Sequence, residues 1–171
     1  MEKWDLVDNS GQLLNIIWDR SRHNEIPEGM YHPCVEVWVK VGDKLLITRR
    51  HPDKSEPLKF DLPGGAVVAG ESALLGALRE LSEEVGIFVT GDRLIKLGEM
   101  INGKVFATSY MLILDNLPEL TLQPTEVVGY MLVSKDELES MTDQITRGTL
   151  RRYPLYKNRI FEKVADSNSF I

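Results

Sequence analysis

A mixed α/β fold is expected from three features of this chain. Residues 34–41 alternate, with Val35, Val37, Val39 and Val41 on one face and Glu36, Trp38 and Lys40 on the other, which is the period of a strand. Leu74, Leu78, Leu81 and Val85 recur at helical spacing and form a narrow apolar stripe that must face a core. Asn102-Gly103 separates two strand-like runs, 93–100 and 104–114, in the manner of a two-residue hairpin turn. Strands, one amphipathic helix, more strands and a C-terminal helix give the α/β class, though periodicity alone gives no topology.

Taken in order, residues 3–8 and 13–18 read as two short strands joined by Asn9-Ser10-Gly11. Residues 19–29 are polar, contain Pro27 and Gly29, and read as a loop. After the strand at 34–41, Gly42-Asp43 turns the chain back into 44–49. Residues 51–59 form a polar loop that leads through Phe60-Asp61-Leu62-Pro63-Gly64-Gly65 into the helix. Gly86 should stop that helix, because glycine takes the left-handed conformation at little cost. Residues 127–133 read as a strand, and Ser134 with Glu137 fits a capping box opening a helix through Met141. Pro154 is expected to interrupt the tail, with 155–164 helical beyond it.

At 171 residues the chain has room for one full core, so 1–171 is expected to be a single domain with a hairpin arm over about 1–30. A net charge of −6 argues against broad nucleic-acid binding, which needs a basic footprint. The single cysteine, Cys34, excludes an intrachain disulfide framework and suits a reducing, cytoplasmic setting. No apolar run reaches the ~20 residues of a membrane span, and the N-terminus is too polar for a secretory signal. The edge of the N-terminal hairpin could pair with a second copy to give a homodimer.

The chemistry concentrates on one helical turn. Offsets of three and four residues bring Glu80, Glu83 and Glu84 onto one face, where like charges repel unless a cation joins them. Carboxylate oxygens are hard ligands that suit Mg²⁺, with Mn²⁺ as a substitute, and not zinc. Magnesium commonly binds through a few carboxylates plus substrate phosphates, a combination that fits hydrolysis of a phosphoanhydride. Arg79, a permanent cation, stands among these carboxylates. Glu71 is open to two readings, compensation of the helix dipole or a direct metal role. Gly64 and Gly65 allow close backbone approach to metal or phosphate, or simply make a tight turn. Of the basic group Arg49, Arg50, Lys54 and Lys59, strand alternation lets at most one of the adjacent arginines face a cleft, and Arg49 is the candidate for phosphate. Glu126, in the loop before a late strand, is the candidate general base. Trp38 is expected to pack, with base stacking as the alternative. Neither His32 nor His51 has a partner at metal-ligand spacing.

Gly65, Glu71, Arg79, Glu80, Leu81, Glu83, Glu84, Gly86 and Ile87 fill every specified position of the pattern G-x5-E-x7-R-E-U-x-E-E-x-G-U, where U is aliphatic. The stretch therefore resembles the Nudix box. The resemblance implies a mixed sheet sandwiched between helices and a Mg²⁺-dependent hydrolase of a diphosphate linkage, in a nucleoside diphosphate joined to another moiety. It further implies metal ligation at Glu80, Glu83 and Glu84, with Arg79 orienting a glutamate and Glu71 more structural. The N-terminal half is similar to the isopentenyl-diphosphate isomerase branch of the superfamily. That branch uses a cysteine just before the box, where this chain has Leu62-Pro63-Gly64-Gly65. A silent nucleotide-sensing module is the third reading, although such modules usually lose box glutamates.

Overall fold

The computed structural model describes residues 1–162. Strands β1 (Lys3–Val7) and β2 (Leu13–Asp19) form the N-terminal hairpin, a two-stranded antiparallel sheet of its own. A seven-stranded mixed sheet follows, built from β3 (His32–Val41), β4 (Lys44–Arg50), β5 (Phe60–Asp61), β6 (Gly64–Ala66), β7 (Ile95–Asn102), β8 (Val105–Leu114) and β9 (Val127–Val133). Its main path runs β5-β4-β3-β8-β7, with β6 paired to β3 and β9 to β4. The β3–β8 pair is parallel and the others are antiparallel. Helix α1 (Ala73–Val85) covers one face; α2 (Lys135–Ser140) and α3 (Arg147–Phe161) cover the other.

The long strand β3 organises both layers. Its odd residues Val35, Val37, Val39 and Val41 pack with Ala77, Leu81 and Val85 of α1. On the other face Trp38, fully buried, packs with Tyr153 and Tyr156 of α3. A central strand covered on both sides buries both of its faces, so the face bearing Glu36, Trp38 and Lys40 is interior as well. Trp38 is thereby a core residue and offers no stacking surface for a base.

Three local expectations are corrected. Residues 20–25 of the expected loop form a 3₁₀ turn, Arg20–Glu25, capped by the Asp19 carboxylate, which accepts from the Ser21 N–H. The β7–β8 turn is Gly103-Lys104, because Asn102 pairs directly with Val105 and stays in the strand. Pro154 lies inside α3, which begins seven residues earlier with Thr146 as N-cap. Proline removes a single helical N–H bond at a cost of about 3 kcal/mol, and burial of Thr149, Tyr153, Tyr156 and Ile160 along one side outweighs it. Positions 163 and 164 of the expected tail helix lie outside the described residues.

The hairpin supports the approach to α1. Trp4, Leu6 and Ile26 form a small core that Ala66 joins, and the Gly70 N–H donates to Asp5 Oδ2 at 2.7 Å. Ser72 then caps α1 by accepting from the Leu75 N–H, and Gly86 ends it at φ 72°. No helix among the described residues is long and apolar enough to cross a membrane.

Candidate active site

The apolar stripe of α1 anchors the helix and turns its acidic turn toward β6. Arg79 is the clamp in this arrangement. Its Nε donates to Glu71 Oε1 and its Nη1 to Glu80 Oε1, both at 2.8 Å, while Nη2 reaches the Ala66 carbonyl at 2.9 Å. A weaker contact of 3.2 Å joins Nη1 to Glu83. Hydrogen bonds to these carboxylates raise the Arg79 pKa further above its ordinary value. Glu71 also accepts from the Val68 N–H at 3.2 Å, so it ties the loop before α1 to Arg79.

Glu84 and Glu80 point at the glycines of β6. Glu84 Oε2 accepts from the Gly64 N–H at 3.1 Å. A Cβ on Gly65 would stand 2.6 Å from Glu80 Oε1, so the Glu80 carboxylate lies directly against that backbone. Burial pushes the Glu84 pKa up to about 8, against the opposing pull of Lys54, and burial likewise raises Glu80. Lys54 Nζ lies 3.8 Å from Glu84 Oε1 and pairs closely with Glu126. The loop 51–59 thus supplies a cation to the place where the carboxylates of α1 and of the loop before β9 meet.

The donor set fits a hard divalent cation. Glu80 and Glu84 are buried or nearly so, carry oxygen donors only, and already accept positive partners, Arg79 and Lys54, in their vicinity. Among the described residues no three His, Cys, Asp or Glu side chains close on a common point at metal distance. The reason is visible in the ion pairs: Arg79 draws Glu80 and Glu83 to one side and Lys54 draws Glu84 to the other.

Gly64 and Gly65 are also one wall of a cleft of about 540 Å³ on the α3 side of the sheet, within the range typical of ligand sites. Its floor is Glu36, buried, which accepts from Trp38 Nε1 at 3.0 Å and Ser109 Oγ at 2.7 Å. Glu36 Oε2 lies 2.5 Å from Arg152 Nη2 in an ion pair, and burial still raises the Glu36 pKa. Arg50, at the end of β4, donates to Asp61 at 2.8 Å. Asp61 also accepts from the hydroxyls of Thr146 and Thr149, which fixes the start of α3 over the cleft. Cys34 lines the cleft as well, with its thiol pushed up to about 12 by burial.

Glu80, Glu84, Glu126, Gly64 and Gly65 are thus brought together, and Glu83 stands at the exposed rim held by Arg79. Arg49 is not. Its Nε donates to the Leu58 carbonyl at 3.2 Å and its guanidinium lies over Phe60, whereas Arg50 faces the cleft. Alternation along β4 allows only one of the two to point inward, and the register shift against β9 between them selects Arg50. The residues missed from sequence are Lys54 as a bridge between carboxylates, Glu36, and the arginines of α3. The spacing of Arg147, Arg151 and Arg152 is a usable signal once the last helix is extended to before Pro154.

The NUDIX domain profile matches residues 30–158. Among curated relatives, an uncharacterised Nudix hydrolase of Listeria monocytogenes is 31% identical over 147 residues, covering 82% of this chain and 85% of that protein. Nudix hydrolase 3 of Arabidopsis thaliana is 31% identical over 153 residues, 80% of this chain, but the chain spans only 20% of that longer protein. A crystal structure from Deinococcus radiodurans superimposes with a TM-score of 0.71 at 23% identity, over 94% of this chain and 100% of that one. A bifunctional NMN adenylyltransferase/ADP ribose pyrophosphatase from Francisella tularensis, crystallised with AMP and a manganese ion, matches with a TM-score of 0.64 at 19% identity, over 76% of this chain and 42% of that one. The profile match, the identity to curated hydrolases and the complete box on α1 agree: this chain belongs to the Nudix hydrolase family, whose members act on pyrophosphate bonds.

Proposed function

We propose that the protein is a Mg²⁺-dependent hydrolase of a diphosphate linkage in a nucleoside diphosphate joined to a second moiety. The observation that carries this reading is the two-sided use of β6: Glu80 and Glu84 contact Gly64–Gly65 from the α1 side, and the same glycines wall the cleft. A diphosphate at that edge meets the acidic turn, while the rest of the molecule lies in the cleft. The Francisella neighbour, with AMP and manganese, supports the substrate class and the ion by analogy of fold.

In this reading Glu80, Glu83 and Glu84 hold the metal. A cation held there would supply charge to offset the diphosphate and to activate a water. Arg79 ties Glu71 to the turn before α1, and the small glycines let the substrate come close to the protein backbone. Glu126 accepts the proton of the attacking water once Lys54 turns away from it. A new P–O bond forms from water as the bridging P–O bond breaks, leaving two phosphorylated products and one proton.

The isomerase reading has no comparable support. The position before the box is Gly64, whose Cβ would lie 2.2 Å from the Val35 carbonyl oxygen, so no cysteine fits there without moving β3. A diphosphate panel with Mg²⁺ or Mn²⁺ and product identification tests the proposal. Two phosphorylated products are expected; an isomer with its diphosphate intact, or binding without turnover across the panel, would refute it.

A further inference from the structure

We propose that the cleft under α3 receives a second anionic group of the substrate, remote from the diphosphate, and that Arg151 recognises it. The inference rests on the reading above, which places the diphosphate at Gly64–Gly65. Four arginines line the cleft, Arg50, Arg147, Arg151 and Arg152. Three are neutralised within it: Arg50 by Asp61 at 2.8 Å, Arg147 by Glu56 at 3.3 Å and Arg152 by Glu36 at 2.5 Å. Arg151 differs. Its Nη1 donates to the amide oxygen of Asn102, a neutral partner, and it forms no ion pair among the described residues.

A second observation points the same way. Arg152 Nε and Glu36 Oε2, the two sides of the ion pair on the floor, are both buried without a hydrogen-bond partner among the described residues, so the cleft still holds polar groups to be matched. A buried donor left unmet is costly, and native proteins rarely keep one without a purpose. The Arg152 side chain is 12% exposed, and Gly148 keeps room for it, since a Cβ there would stand 3.1 Å from Nη2. An ionised oxygen group entering the cleft beside Asn102 would neutralise Arg151. Guanidinium groups are well suited to phosphate and carboxylate, with donors in a fixed fork.

Strand register gives the scale. Gly64 lies opposite Glu36, whereas Val105, the partner of Asn102, lies opposite His32. Four residues of β3 separate these levels, roughly 13 Å at the usual strand rise. That is the reach of a nucleoside or sugar attached to the diphosphate, so the charge sought is at the far end of the moiety and is not the scissile group.

Matched pairs differing by one remote anionic group test this: coenzyme A against 3′-dephospho-coenzyme A, NADPH against NADH, and UDP-glucuronate against UDP-glucose. The first two present a phosphate and the third a carboxylate, so the arms separate the two anions. Both kcat/KM with Mg²⁺ and calorimetric affinity without added metal are measured, on the wild type and on Arg151→Gln. The expected result is a preference of about tenfold or more for the anionic member of at least one pair, lost in Arg151→Gln. Equal values within every pair, or a preference that Arg151→Gln retains, would overturn the proposal even if all six compounds are hydrolysed. An Arg151-dependent preference in binding with no hydrolysis would uphold the cleft and refute the hydrolase reading.

Discussion

The acidic turn of α1 and the cleft under α3 share a wall two glycines wide, yet they are assembled in opposite ways. Glu80, Glu83 and Glu84 come from one turn of one helix, and their mutual placement follows from helical geometry before any tertiary contact forms. The cleft takes Glu36 from β3, Arg50 from β4, Asp61 from β5, Asn102 from β7 and its arginines from α3. Each of those side chains is polar and paired across elements distant in sequence. The first surface suits chemistry common to many substrates, and the second suits discrimination among them.

Substitutions should separate the two surfaces. Glu84→Gln keeps a carbonyl oxygen to accept from Gly64 but removes the charge; kcat/KM is expected to fall about a thousandfold or more for every substrate. Glu83→Gln should act in the same direction. Thermal melting should show both variants folded and no less stable, because like-charge repulsion is relieved. A loss confined to some substrates would erase the distinction between the surfaces.

The shared wall offers a sharper contrast. In Gly64→Ala the new methyl meets the Val35 backbone carbonyl at 2.2 Å, which no side-chain rotation relieves, so denaturant unfolding should report a loss of about 4 kcal/mol or more. In Gly65→Ala the methyl meets only the end of the Glu80 side chain, at 2.6 Å. That variant should fold, and a manganese titration should show affinity about tenfold weaker.

The floor of the cleft predicts a pH-dependent effect. Arg152→Met leaves Glu36 buried without its cation, at a cost of about 3 kcal/mol near neutral pH. Burial already raises the Glu36 pKa above its unfolded value, so its contribution is present at low pH and lost as pH rises through the folded pKa. Removing Arg152 raises that pKa further. Denaturation at pH 5 should therefore show a smaller penalty than at pH 8, and a pH-independent penalty would count against the pairing.

A second pH-dependent effect lies at His32, stacked on Trp4 at 4.1 Å and lowered by burial to about 4. Above pH 6.5 the ring is neutral in both states. As pH falls toward 4 the unfolded chain takes a proton that the folded one refuses, and stability drops by up to about 3 kcal/mol. Stability curves of His32→Gln should lack that part of the acid slope.

How much was readable in the sequence follows the same division. The strand at 34–41, the stripe of α1, the capping box at Ser134 and the nine positions of the motif are local patterns, and each appears in the structure. Glu36 and Lys40 are interior because both sides of β3 are covered, which alternation alone cannot reveal. Arg50 replaced Arg49 at the cleft because a register shift in β4, set by β9, decides which side chain turns inward. Helix α3 was shortened in expectation because local rules weigh Pro154 heavily, while its buried tyrosines pack against Trp38 from far away in the chain. Lys54 meets Glu126 only because two loops fold onto the same edge, and no spacing in the sequence records that.

Anomalous diffraction from crystals soaked with manganese and a non-hydrolysable diphosphate analogue is the most direct test. A peak bounded by Glu80, Glu83 and Glu84, beside Gly64–Gly65, with the diphosphate oxygens completing its coordination, is the predicted result. No peak at that edge with the analogue bound, or a peak held by other side chains, would contradict the account.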